Sequence, residues 1–490
     1  MVVISVAYVF GWLFACLAAS MLLPLAFALV QGEVAEARAF IATAIGTGFL
    51  GGALILALKG QQQEAGRKEG LFLLGVIWFI IPVIAALPFY FAKVPDNFLQ
   101  AYFEAVSGFT TTGATIFVDV SELPHSIIVW RALLQWMGGL TTLLTLAAIL
   151  APVVAADDIE GGFRQLKHAS GKANQHILMA IPMILPIYFI MTLACFLLLV
   201  FSKIPAFDAF CLSLSTVSTG GFMPRPGGIA LYGSPAAELV LSVFMFLGAV
   251  SIVWVSALSN GRFNIISQLR EPWWIGGIIL VFGLILSAVL LAQSPDKNIQ
   301  ALYYSITAGV MTIASFVSTT GFLVSNQTKE LLPYIIVIVL CFVGGGRLST
   351  AGGLKFFRIQ AMFKQSSREL MQLVFPHGVR PANFSSANME SMIMRSVWAN
   401  FALIVMALWL LTAIISITGL PLSASFLAAV SAISNIGPAY TFASLPDLTT
   451  AQSYAAMHPG AHAALCLGMI LGRVEVLALL SVMNVAYWRS

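Results

Sequence analysis

Four short segments with the same spacing recur along the chain, and they constrain its fold more than any other feature. Each reads Ser-x-x-[Ser/Thr]-[Thr/Asn]-x-Gly, and the copies lie about a hundred residues apart. They begin at Ser107, Ser215, Ser315 and Ser431 and close at Gly113, Gly221, Gly321 and Gly437. Glycine permits the backbone angles that tight turns require. The repeat therefore predicts four copies of one unit in a single chain, each with a hydroxyl-rich turn closed by glycine.

The surroundings of these segments are too apolar for a soluble protein. Of the 490 residues, 59% are hydrophobic and only 9% are charged, and the mean hydropathy is +0.94. A membrane-spanning helix needs about 20 apolar residues, and the chain holds many such stretches. The net charge of +4 is small and favours no nucleic-acid partner. The five cysteines all lie in apolar stretches, as small core residues do.

The apolar stretches divide the chain into two leading helices and four units. The predicted boundaries are 1–68 for the leading helices and 69–158, 159–260, 261–375 and 376–490 for units one to four. Each unit holds two spans with a short segment between them. The predicted spans are Val3–Val30, Ala37–Leu58, Leu71–Phe91, Ile127–Leu150, Ile177–Phe201, Ala236–Leu258, Trp273–Ala292, Leu332–Phe356, Ser396–Ile417 and Ala463–Trp488.

The middle segment of each unit is expected to be too short to cross a bilayer. These segments are Asn97–Val106, Phe207–Leu214, Ile299–Ala314 and Ala424–Val430. Short apolar segments of this kind are typical of re-entrant helices, although loops between ordinary helix hairpins would also fit any single copy. All four copies stand at the same place in the pattern of predicted spans, which favours an all-α polytopic membrane protein. Its predicted architecture has four helix–pore-loop–helix repeats around a pseudo-fourfold pore, plus two N-terminal transmembrane helices.

The four turns carry the chemistry of a potassium filter. Such a filter uses four backbone loops whose carbonyl oxygens replace the water around the ion. The predicted filter residues form turn 1 (Thr110, Thr111, Thr112, Gly113), turn 2 (Ser218, Thr219, Gly220, Gly221), turn 3 (Ser318, Thr319, Thr320, Gly321) and turn 4 (Ser434, Asn435, Ile436, Gly437). The hydroxyls of Thr111, Thr219 and Thr319 are expected to add oxygens. Turn 4 departs from the others with an amide at Asn435, so the ring is not fourfold symmetric in its chemistry.

The distribution of charge predicts the orientation. If the four turns face outside, the opposite side holds most of the 24 Lys and Arg residues, among them Lys59, Arg164, Arg270 and Lys355. The side with the turns holds fewer, including Arg131 and Arg225. Because basic residues concentrate in cytoplasmic loops, both termini are predicted to be cytoplasmic.

Several motifs resemble those of the Trk/Ktr/HKT superfamily of cation transporters, and most closely the bacterial TrkH-type potassium uptake subunits. The resemblance covers nearly the whole chain, and the two leading helices favour the Trk type over the shorter Ktr type. The most specific motifs are Ser107-Gly-Phe-Thr-Thr-Thr-Gly-Ala-Thr115, Trp130-Arg-Ala-Leu-Leu-Gln-Trp-Met-Gly-Gly139, Ser218-Thr-Gly-Gly-Phe222, Ser349-Thr-Ala-Gly-Gly-Leu-Lys355 and Gly472-Arg-Val-Glu475.

The resemblance implies potassium translocation through a single-chain filter in the bacterial inner membrane, with potassium as the ion and no organic cofactor. It also implies a homodimer that works with a separate protein, a TrkA-like cytoplasmic nucleotide-binding gating ring. In this family, glycine at the position of Gly113 goes with a preference for potassium. The amphipathic stretch Phe356–Met394 is the best candidate for docking the partner, although a solvated connector fits it equally well.

Glycines interrupt the second span of unit three. They are dense enough to break a helix there, and the resemblance implies that this stretch is an intramembrane gating loop. The predicted gate residues are Gly344, Gly345, Gly346, Arg347, Ser349, Thr350, Gly352 and Gly353, together with Arg473 in the last span. Arg347-Leu348 stands where the family pattern has small residues. A charged residue inside a membrane is costly unless it meets water or a partner, so Arg347 either perturbs the loop or lies at its edge.

Three charges have two interpretations each, and Glu475 is expected to bind another helix or a backbone donor. The resemblance implies that Arg473 lies in the pore as an electrostatic brake, whereas a buried structural pair with Glu475 or another acid is the alternative. Glu104 and Asp119, near turn 1, either raise the cation concentration at the pore mouth or serve as solvated loop and capping residues.

Nothing in the sequence indicates an enzyme, because the six histidines show no metal-binding spacing and no nucleotide-binding motif stands in a suitable context. An alternating-access carrier is the other class of transporter, but carriers use inverted repeats, whereas these four copies share one direction. A sodium-conducting or sodium/proton-coupled transporter of the same fold remains the alternative to potassium.

Overall fold

The computed structural model describes residues 2–60, 67–154, 173–294, 298–325, 328, 331–374, 384–442 and 453–474. These residues form helices joined by short loops, and no strand occurs among them. Seven of the described helices are long and apolar enough to cross a membrane, or eight if one bent pair counts as a single span. The predicted class, an all-α polytopic membrane protein, is confirmed.

The leading segment folds as three helices. They are Val2–Ser20, Leu22–Gln31 and Val34–Leu58. The predicted single helix Val3–Val30 is therefore interrupted at Met21. Two glycines let the chain pack closely on itself, because a Cβ on Gly51 would stand 2.8 Å from the carbonyl oxygen of Gly11. Close approach through small residues is how membrane helices associate without a hydrophobic driving force.

Each of the four units contributes a first helix, a short helix that ends at a turn, and a second helix. Unit one has Arg67–Phe91, Phe98–Phe109 and His125–Val154, and unit two has Ala173–Phe201, Ala206–Val217 and Pro235–Ala249 continued by Ile252–Ser259. Unit three has Glu271–Gln293, Ile299–Val317, Tyr334–Phe342 and Phe356–Val374, and unit four has Phe384–Ile417, Leu422–Ile433 and Pro459–Val474. Short helices also occupy Phe263–Gln268 and Pro438–Phe442.

The second helix of unit two bends sharply, so the prediction of one span over Ala236–Leu258 was wrong. Its two parts meet at an angle of 114°. Ser251 starts the second part by accepting a hydrogen bond from the amide of Val253. The freed backbone groups at the bend pair with unit three, since Gly346 N donates to Ala249 O (2.7 Å) and Ile252 N donates to Leu348 O (3.1 Å).

The short helices also differ in length from the prediction. Three of them have 12 residues and are too short to span a bilayer, whereas Ile299–Val317 has 19 residues and is long enough. The prediction that all four middle segments are too short was therefore wrong for unit three. All four nevertheless end at the residue before a predicted turn.

The glycine-rich break in unit three is present. Tyr334–Phe342 ends and Phe356–Val374 begins on either side of residues 343–355, which we call the glycine loop. The unit boundaries at 158/159 and 375/376 lie outside the described residues, so the division into units stays a prediction.

Candidate functional site

The four turns are built by the same backbone hydrogen bonds. In each, the carbonyl of the first serine in the motif accepts a bond from the amide five residues later. The pairs are Thr112 N to Ser107 O (2.9 Å), Gly220 N to Ser215 O (2.8 Å), Thr320 N to Ser315 O (2.9 Å) and Ile436 N to Ser431 O (2.9 Å). The sequence repeat is therefore a structural repeat, in which each short helix is closed by one local turn.

A left-handed backbone is common to all four turns. The second residue of each turn has a positive φ, which is 52° for Thr111, 54° for Thr219, 60° for Thr319 and 54° for Asn435. Asparagine tolerates this region, but a β-branched threonine there is an outlier. Such strain costs about 1–3 kcal/mol per residue and persists where the surrounding structure enforces it, commonly at functional sites.

The four closing glycines join the turns into a ring. A Cβ on Gly113 would stand 2.3 Å from Gly220 O in turn 2, and a Cβ on Gly221 would stand 2.1 Å from Thr320 O in turn 3. A Cβ on Gly321 would meet Ile436 and Pro438 at 3.0–3.1 Å. A Cβ on Gly437 would stand 2.1 Å from Ala114 N, beside turn 1. Each turn thus contacts the next, and turn 4 returns to turn 1.

The short helices present their C-terminal ends to this ring. They end at Phe109, Val217, Val317 and Ile433, each directly before the first residue of a turn. The C-terminus of a helix carries about half a negative elementary charge. Four such ends around one ring produce a potential that favours a cation at its centre.

Several predicted ligand carbonyls are already engaged. Gly220 O accepts a hydrogen bond from Gln135 Nε2 (2.6 Å), and Thr112 O accepts one from Gly437 N (2.6 Å). Thr110 O accepts one from Arg473 Nε (2.6 Å). The ring is consequently asymmetric in its hydrogen bonding as well as in its sequence.

The threonine hydroxyls do not behave alike either. Thr319 Oγ1 accepts a hydrogen bond from Gly352 N (2.7 Å), and Thr219 Oγ1 donates to Ser218 O (2.7 Å). Thr111 Oγ1 is buried and has no hydrogen-bond partner in the described ranges. Asn435 Nδ2 donates to Thr112 Oγ1 and to Met469 O, both at 2.9 Å, and so ties turn 4 to turn 1. The hydroxyls of Thr219 and Thr319 and the amide of Asn435 thus form hydrogen bonds with protein groups.

The glycine loop lies against the same turns. Besides Gly352, its Thr350 contacts Thr219 Oγ1 (3.3 Å) and donates to Gly248 O (3.1 Å). Gly352 has no room for a side chain, because a Cβ there would stand 2.4 Å from Ser434 O in turn 4. The loop therefore contacts turns 2, 3 and 4 directly.

Glycine is also required inside the loop. A Cβ on Gly344 would stand 2.3 Å from Gly352 O, and one on Gly345 would stand 2.5 Å from the Ala351 side chain. Lys355 stabilises the fold of the loop, since its Nζ donates to Ala351 O (2.6 Å) and Ser349 O (3.3 Å). Sequence analysis counted Lys355 among the basic residues on the side opposite the turns and did not predict its role in the loop, although its position directly after the glycines indicated one.

Arg473 connects the glycine loop to turn 1. Its side chain is buried, and besides Thr110 it donates from Nη1 to Thr350 O (2.6 Å). The two hydrogen bonds bridge a turn and the loop, so the arginine lies where the two meet. Glu475, its predicted alternative partner, lies outside the described residues.

Arg347 lies at the exposed edge of the loop. Its guanidinium carbon is 4.6 Å from the centre of the Phe357 ring, and its backbone amide donates to the Glu271 carboxylate (3.2 Å). Gly346, the neighbouring residue, also approaches that carboxylate, with 3.2 Å from an added Cβ to the carboxyl carbon. The departure from the family pattern therefore does not place a charge inside the loop.

A buried ion pair lies behind turn 1. Arg131 Nε donates to Glu104 Oε1 (2.7 Å), and the guanidinium carbon is 4.1 Å from the centre of the Phe222 ring, just after turn 2. Glu104 and Arg131 are almost fully buried. Both interpretations of Glu104 were wrong, because its carboxylate is buried in this pair and is neither a mouth charge nor a solvated or capping group. The assignment of Arg131 to the side with the turns stays a prediction.

Asp119 and Gln135 form hydrogen bonds that assign each of them a structural role. Asp119 is a capping residue, because the Ser121 hydroxyl and amide donate to its carboxylate and lower its pKa. Gln135 braces turn 2, donating to Gly220 O and accepting from Phe222 N (3.3 Å). Sequence reasoning quoted Gln135 and Arg131 within a motif but assigned neither a role.

Comparison with known proteins gives one consistent result. The family model TrkH, described as a cation transport protein, matches residues 36–272 and 278–486. The Trk system potassium uptake protein TrkH of Salmonella typhimurium is 29% identical over 99% of both chains. TrkG of Escherichia coli K12 is 28% identical over 99% of this chain and 98% of its own. The fold is similar to the crystal structure of the potassium transporter TrkH from Vibrio parahaemolyticus, with a TM-score of 0.85 and 24% sequence identity. The match covers 100% of this chain and 100% of that chain.

Proposed function

Because the chain belongs to the TrkH family of cation transport proteins, we propose that it takes up potassium through the ring of four turns. The chain is a multi-pass membrane transport protein and not an enzyme. Relatives named Trk system potassium uptake proteins support potassium as the ion. The bacterial inner membrane as its location, with both termini cytoplasmic, is part of the proposal.

The observation that carries this proposal is the closure of the ring. Four turns with the same backbone bonds touch one another in sequence, and turn 4 contacts turn 1 through Gly437 and Ala114. Potassium holds its hydration shell weakly enough for backbone carbonyls to replace it. In this proposal the ligands are carbonyls of turns 1 to 4. Because Gln135, Gly437 and Arg473 hold three of those carbonyls, we expect fewer coordinating positions than in a fourfold-symmetric filter.

The glycine loop and Arg473 form the gate in this proposal. The loop packs against three turns, and Arg473 ties Thr350 of the loop to Thr110 of turn 1. A positive charge at this position raises the energy of a cation leaving the ring. Opening then requires that the loop give up its bonds to Thr319 and Arg473.

A cytoplasmic partner is proposed to control this loop. The helix Phe356–Val374 follows the loop directly and carries exposed apolar residues, among them Phe363, Leu370 and Leu373. A partner that moves this helix would pull on the loop through Phe356, whose amide donates to Gly345 O (3.0 Å). We propose a TrkA-like nucleotide-binding gating ring as that partner and a homodimer as the transporting assembly.

Uptake into liposomes tests the proposal. The purified chain, reconstituted alone and with its partner, should take up potassium and rubidium several-fold faster than sodium. Equal or faster uptake of sodium would replace potassium with the sodium-conducting alternative. Transport that requires an opposing sodium or proton gradient, without channel-like uptake, would favour a coupled transporter.

A further inference from the structure

A small cavity lies beneath the ring, between the glycine loop and units one and four. Its volume is about 30 Å³, whereas one water needs about 10–15 Å³. Its lining includes Asn400, Ser434, Arg473, Lys355 and Arg358. The cavity therefore has room for about two water-sized groups, and its lining is polar on several sides.

Asn400 is the unexplained residue of this cavity. It is 1% exposed, and both polar atoms of its amide, Nδ2 and Oδ1, are buried with no hydrogen-bond partner among the residues that the structure describes. An unsatisfied buried polar group is costly, so each one in a native protein calls for an explanation such as a water or an ion. Asn400 lies on the helix Phe384–Ile417, whose part Met394–Ile417 is long and apolar enough to cross a membrane.

The cavity is also positively charged. Arg473 donates from Nε and Nη1 to backbone carbonyls, while its buried Nη2 has no hydrogen-bond partner within the part of the chain that the structure describes. Lys355 and Arg358 lie in the same lining, and no carboxylate does among the described residues. A potassium ion in the cavity would be repelled by the buried guanidinium of Arg473, which has no carboxylate partner among the described residues. A buried guanidinium whose hydrogen bonds reach only neutral carbonyls lacks the opposite charge that buried ions normally have.

We propose that this cavity binds one small monovalent anion, chloride under physiological conditions, between Asn400 and Arg473. The anion accepts hydrogen bonds from Asn400 Nδ2 and Arg473 Nη2, two donors in the cavity lining that have no partner among the described residues. The remaining volume admits a water that donates to Asn400 Oδ1. Bound there, the anion neutralises Arg473 and holds it against Thr110 and Thr350, which favours the docked glycine loop. The inference does not depend on which cation the ring conducts.

Thermal unfolding of the purified full-length protein tests the site without measuring transport. Samples in potassium chloride and in potassium gluconate, at equal potassium concentration, are compared over a range of anion concentrations. A ligand that binds only the folded state raises Tm with its concentration, so chloride should raise the Tm of the wild type by a few degrees, in a saturable manner.

Two substitutions at Asn400 make the test specific. Asn400→Leu removes the unpaired amide and should abolish the chloride effect. Asn400→Asp supplies a fixed negative charge and should give, in gluconate, a Tm near that of the wild type in chloride. The matched control is Thr412→Val, a buried polar residue on the same helix whose hydroxyl bonds Leu408 O, and it should keep the full effect.

Two results would overturn the proposal. One is an equal chloride response in the wild type and Asn400→Leu, which would be a general salt effect. The other is no chloride response in the wild type, which would assign the counter-charge elsewhere, with Glu475 the first candidate. Anomalous diffraction from crystals grown in bromide should show a peak between Asn400 and Arg473, and a rubidium peak there instead would make it a cation site.

Discussion

The four turns and the glycine loop are both buried, glycine-dependent segments, but they are held in different ways. Each turn is closed by backbone bonds within six residues of its own helix end, and those bonds repeat four times. The glycine loop has internal bonds from Lys355, but partners far away in the chain, including Thr319, Gly248 and Arg473, hold it against the turns. A segment closed by its own backbone hydrogen bonds resists displacement. A segment held in place by a few distant contacts can move as a unit when those contacts break. We therefore expect the turns to be rigid and the loop to move.

The largest effect is expected from Gly113→Ser, which changes the closing glycine of turn 1. Gly113 has φ of 78°, and its Cβ would stand 2.3 Å from Gly220 O. Turns 1 and 2 must move apart, so the potassium/sodium permeability ratio should fall by about tenfold, equivalent to about 1.4 kcal/mol. Gly227→Ser is the control, because Gly227 also has a positive φ but open space around its Cβ. Selectivity that survives in Gly113→Ser would remove turn 1 from the filter.

The second largest effect is expected from Arg473→Ala, which should change the rate of potassium uptake but not the potassium/sodium ratio. It removes a charge and two hydrogen bonds, to Thr110 O and Thr350 O, and charge-assisted bonds are worth about 1.5–3 kcal/mol each. We expect several-fold faster potassium uptake with the ion ratio unchanged. Arg473→Lys keeps the charge but cannot bridge both carbonyls as the guanidinium does, so it separates the two roles. Uptake at the wild-type rate in a folded Arg473→Ala protein would make this arginine purely structural.

A smaller gain in uptake is expected from Gly352→Ala. The added Cβ would stand 2.4 Å from Ser434 O, so the loop cannot dock as it does and should be open more often. The measurement is uptake with and without the cytoplasmic partner, which should differ less than in the wild type. Gly346→Ala serves as the control, since its Cβ meets only the movable end of Glu271 at 3.2 Å. If Gly352→Ala changed ion selectivity and left regulation intact, the roles of loop and turns would be reversed.

The smallest effect should come from Arg347→Gln. The side chain is exposed, and Glu271 binds the backbone amide of this residue, which the substitution keeps. Uptake should stay within about twofold, because exposed charges contribute about 0–1 kcal/mol. A larger loss would show that the contact with Phe357 helps to hold the loop.

The sequence predicted the parts of the molecule that are encoded locally. The four motifs located the turns, and the glycines of residues 344–353 located the break in unit three. It did not predict the bend at Ser251, because that bend is stabilised by Gly346 and Leu348 from another unit. The ion pair of Glu104 and Arg131 was missed for the same reason: 27 residues separate the partners, and each alone resembles a loop charge.

The contact between turn 4 and turn 1 has a consequence for biosynthesis. Asn435 bonds Thr112 across 323 residues of chain, so the two edges that close the ring are made at nearly opposite ends of translation. Until unit four emerges and inserts, units one to three form an open arc with an unpaired edge at Thr112. A chain truncated before Ser431 should therefore insert into the membrane without making an ion pathway. Because unit four is translated last and closes the ring, we expect that an incomplete copy does not conduct ions.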